Sequence, residues 1–277
     1  MTKDYSRAHI DGAEDLFASI RNSNLDFNSP RIWGNILRYM VVCQNIESIA
    51  YSTKQKKVRV LDIGCSNATL FGFIKKNFRF YEALEIEYVG VDVRQSSLDD
   101  AFSLYGNEPR LIQHDLNVSP LHELLVDEKF DLISAQQVLE HVGKEDAELM
   151  LTSCHKMLED QGRLILSAPS PLKNKGEEFI HSINADQIFK HGHIFEFSFD
   201  EVNTALMENG FTILDHMGAL TRAMTRELDA KNEEEQQLST TLRKFSYGFF
   251  MAMFSTVYPE KSKNYLIIAK KNENGQH

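Results

Sequence analysis

The stretch Val58 to Ala68, VRVLDIGCSNA, narrows the folds open to this chain more than any other. Val58 to Ile63 is a nearly continuous apolar run, the pattern of a strand buried on both faces of a parallel sheet. Gly64, without a Cβ, permits a tight turn. Cys65, Ser66 and Ala68 are small enough for a ligand to approach the backbone, and Thr69 to Asn77 reads as a helix whose N-terminus faces the turn. Strand, tight turn and helix in this order suit a nucleotide-like ligand. The full G-x-G-x-x-G pattern is absent, since Gly64 is its one glycine, so an ordinary strand-to-helix turn also fits this stretch alone.

The unit then recurs along the chain. Tyr88 to Val93, YVGVDV, is a second buried strand, and Asp92 at its tip is placed to accept hydrogen bonds from ribose hydroxyls. Asp92 comes 28 residues after Gly64, more than the roughly 20 of the dinucleotide fingerprint. The excess fits a longer first crossover that includes Lys75 to Glu87. Arg110 to Leu116 is the third strand, ending in Asp115, and Phe130 to Ala135 the fourth. A helix from Lys144 to Leu158 stops at a turn, Gln161–Gly162, before a fifth strand, Arg163 to Ala168. Strands alternating with helices imply βαβ units and a parallel sheet, with ligands at the carboxyl ends of the strands. Gly64, Asp92, Asp115, Gln136 and Pro169 all fall at such ends. Ahead of this core, residues 1–57 read as helical, with Ser29 and Pro30 as N-cap and first helical residue. Ile32, Ile36, Leu37, Met40, Val41 and Gln44 recur at helical spacing, and this helix is expected to cover one sheet edge.

At 277 residues the chain makes one large domain, or one domain with an insertion. A net charge of −10 argues against a nucleic-acid partner held by its phosphates. The three cysteines, Cys43, Cys65 and Cys154, form no CxxC pair and no disulfide framework, which points to a reducing cytoplasm. No signal-peptide core is visible in MTKDYSRAHIDGAED. The longest apolar stretch, Phe245 to Val257, is too short to span a bilayer.

Taken together, LDIGCSNA (61–68), YVGVDV (88–93), HDL (114–116), FDLISAQQVLEHV (130–142) and MLEDQGRLILSAPSP (157–171) resemble the class I S-adenosylmethionine-dependent methyltransferases, from about Lys57 to Lys271. The resemblance implies an α/β fold: a Rossmann-like, doubly wound, seven-stranded, mostly parallel sheet, with N-terminal helices and a helical insertion before the last strand. It implies S-adenosyl-L-methionine as cofactor. Asp62 and Gly64 would surround its methionine part and Asp92 would bind both ribose hydroxyls, with Cys65, Ser66 and Val93 also among the cofactor-binding residues. Asp115 would accept from the adenine amino group, Leu116 would offer its backbone N–H, and Gln136 would sit near the reacting methyl. Ser66 and Ala68 stand where the family usually has glycines. The expected division is a cap (1–57), the cofactor-binding core (58–216 and 263–271), an insertion serving as lid or homodimer contact (217–262) and a disordered tail (272–277).

The acceptor site of such an enzyme is built from the segments after the fourth and fifth strands, here Gln136 to Val142 and Ser170 to Phe199. The second contains His181, His191 and His193, then Ser198-Phe199-Asp200-Glu201, a helix start. His193 resembles the histidine of an H-x-F-x-[FYW]-[ST] segment found in several branches of the family. A hydroxyl acceptor must lose its proton, which a histidine can take, since imidazole ordinarily titrates near neutrality. The favoured expectation is O-methylation of a small-molecule or carrier-bound metabolite, with His141 or His193 as base beside Glu140. N-methylation of a small molecule is an alternative. A second is a metal-dependent RNA 3′-terminal 2′-O-methyltransferase, because Gln137, Glu140, His141 and His193 resemble the metal-binding E-x-x-E-H and H-x-F-E-W segments of those enzymes. There Gln137 would be a weak ligand on the same helix face as Glu140 and His141, and no bound metal is expected. A non-catalytic, cofactor-binding homologue is the third.

Overall fold

The structure, a computed structural model, describes residues 30–77, 84–170, 193–221 and 262–272. His181, His191, the crossover residues 78–83, most of the insertion (222–261), the N-terminal 29 residues and the tail from 273 lie outside the described residues.

One seven-stranded sheet carries the molecule, in the order β3-β2-β1-β4-β5-β7-β6. Its strands are β1 (Lys57–Ile63), β2 (Glu85–Asp92), β3 (Arg110–Gln113), β4 (Phe130–Gln136), β5 (Leu158–Pro169), β6 (Phe211–Thr221) and β7 (Ser262–Lys271). The first five are parallel, and β7 runs antiparallel to both β5 and β6. Alternation along the strands divides the apolar side chains between the two faces. Leu61, Ile63, Leu164, Leu166, Tyr265 and Ile267 join one core with Met150, Leu151, Cys154 and Met157 of helix α5 (Lys144–Met157) and with Val202 and Leu206 of α6 (Phe199–Glu208). Val58, Val60, Leu132, Ile165, Leu266 and Ile268 join the other, with helices α1 (Pro30–Thr53) and α2 (Thr69–Asn77). Helices α3 (Gln95–Tyr105) and α4 (Leu121–Leu124) complete the described α-helices of the doubly wound fold.

Several boundaries differ from the sequence expectation for identifiable reasons. Helix α1 does not merely cover an edge: Val41, Val42, Cys43, Ile46 and Ile49 lay it across the face of β1, β4, β5 and β6. Gly162 is part of a strand instead of a turn after a helix. A Cβ there would lie 2.8–2.9 Å from Leu158 Cδ1 and the carbonyls of Asp131 and Glu159, so the glycine marks a close backbone approach inside β5. β3 ends at Gln113, where His114 N–H donates to the Asp92 carbonyl at 3.0 Å, leaving Asp115 and Leu116 in the adjoining turn. β6 continues through Thr221, which pairs with Ser262, so residues 217–221 belong to the sheet and not to an insertion. The start of α6 forms as read: Ser198 and Glu201 make a reciprocal capping box. Among the described residues no helix is long and apolar enough to cross a membrane.

Candidate active site

The turn after β1 is pinned to the tip of β2. Gly64 and Cys65 donate their N–H groups to the Val91 carbonyl at 2.8 and 3.0 Å. Gly64, Ser66 and Ala68 all have left-handed backbones, with φ of 71°, 50° and 56°. Ser66 and Ala68 thus keep a conformation suited to glycine while carrying a Cβ. The Cys65 side chain packs against Gly90, where an added Cβ would lie 2.7 Å from Sγ, and burial pushes the thiol well up.

Asp92, buried at the end of β2, ties this turn to the next. Its Oδ2 accepts from Ser66 N–H and its Oδ1 from Arg94 N–H, both at 2.9 Å. A carboxylate offers about four lone-pair positions, so two remain for the hydroxyls of a ribose. Val93 comes next, its carbonyl accepting from Gln113 Nε2 at 3.2 Å. Asp115 caps its own turn, Oδ1 accepting from Asn117 N–H and Nδ2, while half-buried Leu116 packs on the core. Asp62 lies beneath the turn, 6 % exposed, accepting from Tyr88 and Ser134 hydroxyls. Burial raises its carboxyl to about 7, against the opposing effect of those two hydrogen bonds. Gln136 Nε2 reaches Ser134 Oγ at 3.3 Å, while its Oε1 is buried without a partner. An orphaned acceptor at a strand end fits a ligand that brings a cationic donor, as the ammonium of S-adenosylmethionine does. The residues present therefore fit that cofactor.

Beyond β4 the chain does not form the expected helix face. Gln137 takes a left-handed backbone, φ 58°, and its N–H donates to the Ser167 carbonyl at 2.7 Å. A single 3-10 turn, Leu139–His141, comes after it. Gln137 therefore lies outside that turn. Ile194 N–H donates to the Glu140 carbonyl at 2.7 Å, which brings His193 beside Glu140 and His141. One ligand atom each from Glu140, His141 and His193 lie within 4.8 Å of one another, and the two imidazole rings stand edge to face at 5.3 Å. His193 Nδ1 meets Glu196 Oε1 at 2.8 Å, an arrangement that fixes the ring. Glu140 is 2 % exposed, its Oε2 has no partner, and burial raises its carboxyl to about 7.

Two further residues reach this region from α1. Arg38 is buried and close enough for its charge to act on Glu140. Tyr39 bonds with Thr69 at the start of α2, and burial raises its phenol to about 12. Sequence reasoning missed both. The available signal was a charge set inside the apolar run Ile36 to Val42.

A parallel sheet with a glycine turn after its first strand and a buried aspartate at the tip of its second defines a Rossmann-like cofactor-binding protein. Residues 61–164 match a family model described as a methyltransferase domain. A ubiquinone biosynthesis O-methyltransferase of Bradyrhizobium diazoefficiens is 31% identical over 110 residues, 40% of this chain and 39% of that protein. The chain thus matches about two fifths of that curated relative's length. A SAM-dependent methyltransferase of Archaeoglobus fulgidus shares the fold with a TM-score of 0.51 at 18% identity, over 84% of this chain and 94% of the other. A TehB-like SAM-dependent methyltransferase of Corynebacterium glutamicum does so at 0.52 and 15% identity, over 96% and 100%. Residues 61–164 are thus a methyltransferase domain, and the chain shares its fold with S-adenosylmethionine-dependent methyltransferases.

Proposed function

We propose that the protein transfers a methyl group to a hydroxyl oxygen of a small-molecule or carrier-bound metabolite, with His193 as general base. The observation that carries this reading is the Glu196–His193 pair beside His141 and Glu140 at the carboxyl ends of the strands. When bound, S-adenosylmethionine supplies a methyl group activated by its sulfonium. Asp92 would hold the ribose, Asp115 and Leu116 the adenine, and Gln136, with the turn from Asp62 to Ser66, the methionine end. These contacts fix the direction of approach, and alignment is much of the catalysis in such a displacement. Glu196 would keep the Nδ1 proton of His193 in place, so that Nε2 takes the acceptor's hydroxyl proton as the oxygen attacks. The name of the Bradyrhizobium relative, an O-methyltransferase, supports oxygen over nitrogen, since an amine acceptor needs no such base.

The test uses purified protein, S-adenosylmethionine with an isotopically labelled methyl group, and a metabolite extract from a strain lacking the gene. Expected is a labelled product stable to conditions that hydrolyse esters, with turnover reduced about 10²–10⁴-fold in His193→Ala at unchanged cofactor affinity. Undiminished turnover in His193→Ala would remove His193 from the chemistry.

A second reading is favoured by one observation, the closeness of Glu140, His141 and His193. A carboxylate and two imidazoles suit a divalent transition ion, and Glu196 would orient His193 behind it. Such an ion would polarise a ribose hydroxyl, as in RNA 3′-end methylation. The positive charge of Arg38 near Glu140 and the net charge of −10 weigh against an ion and against RNA, respectively. Loss of activity with a chelator, restored by a divalent ion, would reverse the order of the two readings.

A further inference from the structure

We propose that Arg38 anchors a carboxylate group of the methyl acceptor, so that the substrates are hydroxy acids and not neutral alcohols or phenols. The inference rests on the reading that the acceptor lies at the strand ends beside His193.

Arg38 is 8 % exposed. A guanidinium stays protonated in proteins and carries five N–H donors, so burying one without an anion is costly. Its one hydrogen bond among the described residues runs from Nη2 to Asn35 Oδ1 on the same helix, and Nε has no partner. That bond is to a neutral amide, and among the described residues no carboxylate hydrogen-bonds the guanidinium.

The position of Arg38 is fixed from two sides. One turn earlier, Gly34 abuts the Ala219 carbonyl in β6, where a Cβ would lie 3.2 Å away. One residue later, Tyr39 bonds with Thr69 just beyond the cofactor turn. This segment of α1 therefore runs past the carboxyl ends of the strands. Arg38 and Glu140 feel each other's charge without bonding, and each keeps a buried polar atom with no partner, Nε and Oε2. A charged donor group on one side and an unpaired acceptor on the other are what a hydroxy acid would satisfy.

The planar fork of a guanidinium matches the two oxygens of a carboxylate. A phosphate ester carries more charge, about −1.5 to −2 near neutrality, and Glu140, Glu196 and Asp62 would oppose it. A monoanion is therefore the better match.

The experiment is calorimetric titration of the full-length protein, with and without saturating S-adenosylhomocysteine. The probes are two matched pairs, salicylate with salicylamide and lactate with lactamide, together with phenyl phosphate. In at least one pair the acid should bind about ten- to a hundredfold more tightly than the amide. Arg38→Met should bring that ratio near one, and Arg38→Lys, which keeps the charge and loses the fork, should leave it in between. Equal binding of acid and amide to wild type, or no acid binding at millimolar concentration, overturns the proposal without any variant. So does an acid preference that survives Arg38→Met, or tighter binding of phenyl phosphate than of either acid. If S-adenosylhomocysteine fails to bind, the methyltransferase reading falls. If it binds while the acids show no preference, the Arg38 inference falls alone.

Discussion

The sharpest structural test is Gly64→Ala. Gly64 has φ 71°, and a Cβ placed there would lie 2.5 Å from Cγ2 of Val138, far inside contact distance. The left-handed backbone alone costs an L-residue about 1–2 kcal/mol. Val138 is buried and β-branched, so it cannot swing aside, and overpacking of this kind costs about 1–3 kcal/mol. Reduced freedom of the unfolded chain returns about 0.4–1 kcal/mol. The net expectation is a loss of about 2–4 kcal/mol in urea unfolding at an unchanged m-value. Val138→Ala alone removes two buried methyl groups, a loss of about 1.6 kcal/mol at 0.8 each. In the double variant the clash is gone, so its loss should fall short of the sum by about 1–3 kcal/mol, the conformational part remaining. Gly64→Ala within about 0.5 kcal/mol of wild type would refute the left-handed assignment. Strict additivity would show that Val138 is not the wall of this turn.

Three further outcomes concern the same site. Asp92→Ala should weaken S-adenosylhomocysteine binding by about 1.5–3 kcal/mol, read by calorimetry, and unchanged affinity would exclude Asp92 as the ribose residue. Ser66→Gly should relieve a strained φ of 50° worth about 1–2 kcal/mol against a glycine entropy cost of about 0.5–1; a clear fall in melting temperature would contradict it. Asp62 titrates at about 7 in the folded chain against an ordinary value of 3.8. The folded state thus holds the proton more tightly, and this stability is present at low pH and lost as the pH rises to about 7. Asp62→Asn should make stability less pH-dependent across that window. Identical slopes for both proteins would remove Asp62 as their source.

Much of the sheet was legible because its strands are buried on both faces. Val58–Ile63, Phe130–Ala135 and Arg163–Ala168 read as strands from hydrophobic run length alone, and the helix start at Ser198–Glu201 from capping chemistry. The third strand's end, the extension of β6 and the role of Gly162 were not legible. Each depends on a partner distant in sequence: Asp92 for His114, Ser262 for Thr221, Asp131 for Gly162. At the candidate site, His193 was singled out by its sequence context, and its closeness to Glu140 comes with the long-range Ile194–Glu140 hydrogen bond. Spacing placed Gln137 on a shared helix face, and a left-handed residue undid that arithmetic. Arg38 was hidden in an apolar helical run, whose period reports burial and not which strand ends lie beneath it.

The placement of β7 between β5 and β6 bears on how the chain is made. A ribosome delivers β5 and β6 well before residues 262–271, yet the two cannot join without the strand that separates them. Until it arrives, the growing polypeptide presents two open strand borders, each able to recruit a stranger. Closure of the sheet therefore waits on residues 262–271, and a message truncated before codon 262 should yield a product that depends on chaperones and is soon degraded.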